Sequence, residues 1–139
     1  MVENTGDLEI KGNLANGNGI HYLRRAFQPG PGFEYELGMV TFSESGIVPA
    51  SEVQYDGYIY DTLPHFVTDE LYYIAEATRD KTELFAADPN TGDIRSIALF
   101  GHSNLPSIID QSYNGYYLFT IANERVWRVN AENGTKEEV

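Results

Sequence analysis

Leu84-Phe85-Ala86-Ala87-Asp88-Pro89-Asn90-Thr91-Gly92-Asp93-Ile94 reads as a strand, a tight turn and the start of a second strand. Pro89 presets φ for a type I turn, and Gly92 supplies the positive φ that completes a bulged hairpin. The pattern returns in Val126-Trp127-Arg128-Val129-Asn130-Ala131-Glu132-Asn133-Gly134, where Gly134 lies 42 positions after Gly92. Asp88, Asn90 and Asp93 also carry oxygens at intervals a calcium loop uses. An EF-hand needs a distant Glu and flanking helices, so the turn is preferred and no metal is expected.

Working outward, Leu71-Tyr72-Tyr73-Ile74 precedes the first hairpin and Tyr116-Tyr117-Leu118-Phe119 the second. Leu63-Pro64 and Leu105-Pro106, again 42 apart, open the two copies. Each copy reads as a four-stranded meander, with strands in the middle one at about residues 64–68, 70–77, 82–88 and 93–100. A fainter copy runs from Gly19-Ile20-His21-Tyr22-Leu23 through the break Gln28-Pro29-Gly30-Pro31-Gly32 to Leu37–Phe42, and ends in the turn Ser43-Glu44-Ser45-Gly46. One domain with units at about 8–55, 56–101 and 102–139 is expected. Thr68-Asp69-Glu70 followed by Leu71, Ile74 and Ala75 also fits a capped amphipathic helix. The aligned stretch 116–129, rich in Tyr, Phe, Ile and Val, decides for strand.

The composition agrees. The 139 residues include ten Tyr, seven Phe, one Trp and 13 Gly, which suits aromatic strands cut by turns. The net charge is −12, so phosphate backbones are repelled and nucleic-acid binding is not expected. With no cysteine, disulfides, thiol catalysis and thiolate metal sites are excluded. No apolar run is long enough for a membrane-spanning helix. The polar start Met1-Val2-Glu3-Asn4-Thr5-Gly6-Asp7 is not a signal peptide. A periplasmic or cell-surface location is expected only if a leader has been removed.

A repeat of 42 to 46 residues, each an aromatic four-strand unit with an Asp/Asn-x-x-x-Gly hairpin, resembles the blades of β-propellers. Residues 84–94 are similar to the strand–turn–strand of quinoprotein-like and surface-protein propellers. Ile10-Lys11-Gly12, Gly17-Asn18-Gly19-Ile20 and Ala50-Ser51-Glu52-Val53 resemble propeller lipoproteins of bacterial surfaces, which implies ligand capture outside the cytoplasm. The Trp-Asp dipeptide and the kelch double glycine are absent. The expected fold is therefore all-β, a propeller-like array of about three four-stranded antiparallel meanders. Three blades do not close a ring, since propellers take about four to eight. The reading leaves open a homo-oligomer, a piece of a longer chain, or a sandwich.

Motifs for enzymatic chemistry are missing. No G-x-S-x-G elbow, H-E-x-x-H, P-loop or complete dinucleotide-binding glycine motif occurs, and no cofactor is expected. On the meander model, the loops after each fourth strand and between the second and third share one face. Tyr58, Tyr60, His65, Arg79 and His102 are the expected ligand-binding residues there, with Arg24, Arg25, Gln28 and Lys81 beside them. Tyr58 and Tyr60 alternate with Ile59 and present two rings for stacking. The basic residues form a positive spot suited to an anionic ligand. A binding or interaction module taking a small molecule or a protein is expected. The rivals are a propeller-fold hydrolase or lyase and a structural fragment completing a larger ring.

Overall fold

A computed structural model describes residues 8–27, 33–78, 81–103 and 105–139. The described residues form thirteen strands and no helix. Sheet 1 contains β1 (Leu8–Asn13), β2 (Gly19–Phe27), β3 (Phe33–Ser43), β4 (Gly46–Pro49) and β5 (Val53–Asp56). Sheet 2 contains β6 (Ile59–Pro64), β7 (Leu71–Thr78), β8 (Lys81–Asp88) and β9 (Asp93–Gly101). Sheet 3 contains β10 (Ser107–Gln111), β11 (Tyr117–Ala122), β12 (Arg125–Asn130) and β13 (Lys136–Glu138). Sheets 2 and 3 are simple antiparallel meanders. In sheet 1 the fourth-strand role is divided, because β4 and β5 pair with successive halves of β3. The architecture is the propeller-like array expected from the repeat.

The two turns that organise the repeat have one geometry. Gly92 N–H donates to the Asp88 carbonyl at 2.8 Å, and Gly134 N–H to the Asn130 carbonyl at 2.8 Å. Their φ values are 81° and 78°. The Asp88 and Asn130 side chains accept from N–H groups inside their turns, which is why Asp or Asn opens each one.

The first strand of the middle meander lies elsewhere than its Leu-Pro pair suggests. In the middle unit it is Ile59–Pro64 rather than 64–68, and His65 to Glu70 connect it to β7. Leu63-Pro64 ends β6, whereas Leu105-Pro106 precedes β10, so the two pairs are not equivalent. Register makes Pro64↔Leu71 the counterpart of Gln111↔Leu118. The second strands are thus offset by 47 positions (Leu71 to Leu118), while the third strands keep 42 (Ala87 to Val129). Each first strand carries a bulge, at Ile10/Gly12, Ile59/Asp61 and Ile108/Asp110. Such bulges sharpen strand twist where strands converge.

Sheet 2 is covered on both faces. Leu71, Tyr73, Ala75, Phe85 and Ala87 pack with Leu23, Leu37 and Val53 of sheet 1. Tyr72, Ile74, Leu84 and Ala86 pack with Ile108, Leu118, Ala122 and Val129 of sheet 3. Burial on both faces explains the unbroken apolar run Leu71–Ala75, which lacks strand alternation and imitates a helix. Neighbouring sheets also meet through their first strands, β6 lying between β1 and β10. The Asp61 carboxylate accepts from Ser107 Oγ and Ile108 N, both at 2.8 Å. Gln111 Nε2 donates to the Pro64 carbonyl at 2.6 Å, and Phe66 N donates to Gln111 Oε1 at 2.9 Å. No helix among the described residues is long and apolar enough to cross a membrane.

Candidate functional site

The start of β6 divides two hollows on the face formed by the loops after fourth strands. The inner one, about 240 Å³, lies where β1 and β6 converge and is lined by Glu9, Lys11, Arg25, Tyr35, Tyr58 and Tyr60, among others. The outer one, about 470 Å³, is lined by Tyr60, Glu76, Lys81, Thr82, His102, Ser103 and Leu105. Tyr60 belongs to both.

Its position follows from the local chain. Gly57 has φ 142°, and a Cβ there would sit 2.6 Å from the Glu76 carbonyl oxygen. Only glycine lets this connection run so close to β7. The Glu76 N–H then donates to the Tyr58 carbonyl at 2.8 Å. Ile59 turns into the core and the bulge at Tyr60 follows. The rings form an edge-to-face series: Tyr35 to Tyr58 at 6.4 Å and Tyr58 to Tyr60 at 5.1 Å. Tyr58 remains 42% exposed. Burial raises the pKa of the Tyr35 and Tyr60 hydroxyls, so at neutral pH both are neutral groups able to donate and accept. Lys11 pairs with Glu9 at 3.2 Å. The site thus offers ring faces and edges, hydroxyls, and charges of both signs.

Three of the five expected residues come together: Tyr58 and Tyr60 on the inner hollow, Tyr60 and His102 on the outer. Arg79 and Gln28 lie outside the described residues. His65 is a correction. Tyr58 and His65 flank opposite ends of β6, so His65 belongs to the other rim of the sheet. Its Nδ1 accepts from Val67 N at 2.9 Å and Thr68 N at 3.2 Å, and its ring stacks on Tyr72 at 5.1 Å. It shapes a connection and lines a separate hollow with Tyr72 and Arg95 on that rim, because the strand ends at Pro64 and does not begin there.

The expected cluster of cations is also revised. Arg24 points away from the hollows and is held by Glu36 at 3.1 Å and Glu52 at 2.6 Å. Lys11, not among the expected ligand-binding residues, lines the inner hollow instead. Its only signal was a position one residue before Gly12, where the β1 bulge turns it. Asp61 is occupied in joining β6 to β10.

No family model matches this chain, and no curated protein does. Among solved structures, the chain is similar to a provisionally named 6-phosphogluconolactonase from Bacteroides uniformis, with a TM-score of 0.50 and 11% identity. The match covers 99% of this chain and 58% of that one. The chain therefore spans less than two thirds of the protein it resembles. The likeness is one of fold.

Proposed function

We propose that this chain is a β-propeller-type binding module, of the kind bacterial surface proteins use for capture, and that it takes a small polar ligand around Tyr60. The observation that carries this reading is the ring pair of exposed Tyr58 and half-buried Tyr60 beside Lys11, Glu9 and Arg25 in one hollow. Rings that bury area with little loss of rotamer freedom, flanked by both charge signs, suit a polyhydroxylated or weakly acidic molecule. Gluconate, glucose and 6-phosphogluconate form a suitable probe set. NMR shift perturbation should centre on Tyr58, Tyr60 and Lys11, and Tyr60→Ala should weaken binding about tenfold or more. Shifts confined to other surfaces, or equal affinity in Tyr60→Ala, would refute the proposal.

The name of the solved neighbour favours a second reading, hydrolysis of a sugar lactone. His102 and Glu76 line the outer hollow and are the groups available to take a proton from an attacking water. A pH-stat assay with δ-gluconolactone separates the readings. Turnover abolished by His102→Ala supports hydrolysis, and a rate equal to the uncatalysed one supports binding alone.

A further inference from the structure

The two end sheets each leave one face uncovered. On sheet 1, Tyr22, Arg24, Val40 and Phe42 alternate with the inward His21, Leu23 and Met39. Ile10 pairs with Tyr22 and Ile47 with Phe42, and Ile10, Phe42 and Ile47 are 68%, 50% and 68% exposed. On sheet 3 the uncovered face carries Tyr117, Phe119 and Ile121, with Val126 opposite Ile121.

These faces differ in kind. Register makes Phe119 and Ile121 the counterparts of Tyr72 and Ile74, which pack on the following sheet. Sheet 3 thus presents the side that elsewhere seats on the next unit. Sheet 1 presents the side that, in sheets 2 and 3, receives the unit before it. Such a pairing is heterologous, and it closes only at a definite number of copies. The described residues of each copy add three sheets. Two copies of this stretch supply six, within the propeller range of about four to eight.

We propose that two copies of this chain join head to tail, sheet 3 of each on sheet 1 of the other, into a closed six-sheet ring. The area supports this. Four strands about 4.8 Å apart and about six residues long make a face of roughly 400 Å². Closing both junctions covers four such faces, about 1,600 Å², the size of a standard stable interface, whereas one junction covers only about 800 Å². The cations on the two faces are already held within their own sheets, Arg24 by Glu36 and Glu52, and Arg128 by Glu137. Seating a second copy therefore strands neither of them. In the ring the partner's β10 lies beside β1, and the inner hollow gains a wall next to Lys11 and Glu9.

Light scattering on a sizing column tests this with the chain as it is and with Phe42→Glu and Ile121→Lys. The parent is expected at twice 15.6 kDa. Each variant alone is expected near 15.6 kDa, its dissociation constant raised about 100-fold or more by two charges set into apolar junctions. An equal mixture should recover the dimer, because the mixed pair has one unaltered junction and one Glu–Lys junction. A monomeric parent would overturn the proposal, the faces then belonging to other sheets or to another protein. So would a mass that grows with concentration, or Ile121→Lys remaining dimeric, which would indicate sheet 1 paired with sheet 1. Circular dichroism checks the fold, and Ile47→Glu with Val126→Lys replaces any variant that fails it.

Discussion

Acidification should weaken this fold through His21, a side chain with no part in the candidate site. His21 sits on β2, fully buried, and neither ring nitrogen has a hydrogen-bond partner among the described residues. Burial lowers its pKa to about 4, although Asp69 and Asp88 pull in the opposite direction. In the unfolded chain the imidazole titrates near about 6.5. Between those values the unfolded state binds the proton and the folded state does not, so stability falls as pH falls through this window. A separation of about 2.5 units at about 1.4 kcal/mol each amounts to roughly 3 kcal/mol by pH 4, of which about 2 kcal/mol is lost by pH 5. Above pH 7 the group contributes no pH dependence. Urea unfolding at fixed chain concentration, from pH 7 down to 4.5, should be compared for the parent and His21→Leu. Other titrating groups, His65 among them with its pKa lowered by burial, act on both proteins, so the difference between the two curves isolates His21. The parent should lose about 2 kcal/mol relative to His21→Leu from pH 7 to 5. Parallel curves, or an imidazole resonance titrating near 6.5, would show that His21 is solvated and the reasoning wrong.

Other consequences follow from particular contacts. Asp61→Ala removes the acceptor for Ser107 Oγ and Ile108 N and should cost about 2–4 kcal/mol in chemical denaturation. Asp61→Asn, keeping one acceptor oxygen, should recover part of it. Gly134→Ala places a Cβ 1.9 Å from the Ile97 carbonyl oxygen at φ 78° and should lower stability by about 1–3 kcal/mol. Gly92→Ala meets nothing within 4 Å and should cost less, a contrast a pair of melting curves can read. Burial raises the Tyr55 hydroxyl to about 12, and the Tyr22 hydroxyl, with Glu52 adding to the effect, to about 12 as well. Tyrosine absorbance at pH 11 should therefore fall short of ten ionised rings until the protein unfolds. Stability should decline as pH rises above about 10, where the unfolded rings ionise first.

Most of the candidate site was visible as residues but not as an arrangement. Tyr58 and Tyr60 stood out because alternation around Ile59 is a local property. His102 stood out as a histidine in the loop after a fourth strand. Lys11 carried no comparable mark, since its place beside Arg25 and Tyr58 arises from β1 meeting β6 across almost fifty residues of chain. His65 and His21 looked alike in the sequence, each a lone imidazole near an aromatic run. One caps a connection and the other is sealed between sheets.

What the chain carried locally was the class of fold and its period. Pro89 and Gly92, and then Asn130 and Gly134, set backbone angles whatever surrounds them, so two hairpins 42 residues apart could be read directly. The start of each first strand depended on contacts between sheets. β6 is held by β7 on one edge and by Asp61 and Gln111 contacts to β10 on the other, partners remote in sequence. The 47-residue offset of the second strands, the face on which each histidine lies and the two uncovered end faces follow from that packing. Local propensity sets angles one residue at a time, whereas register is selected by which apolar faces can be buried together.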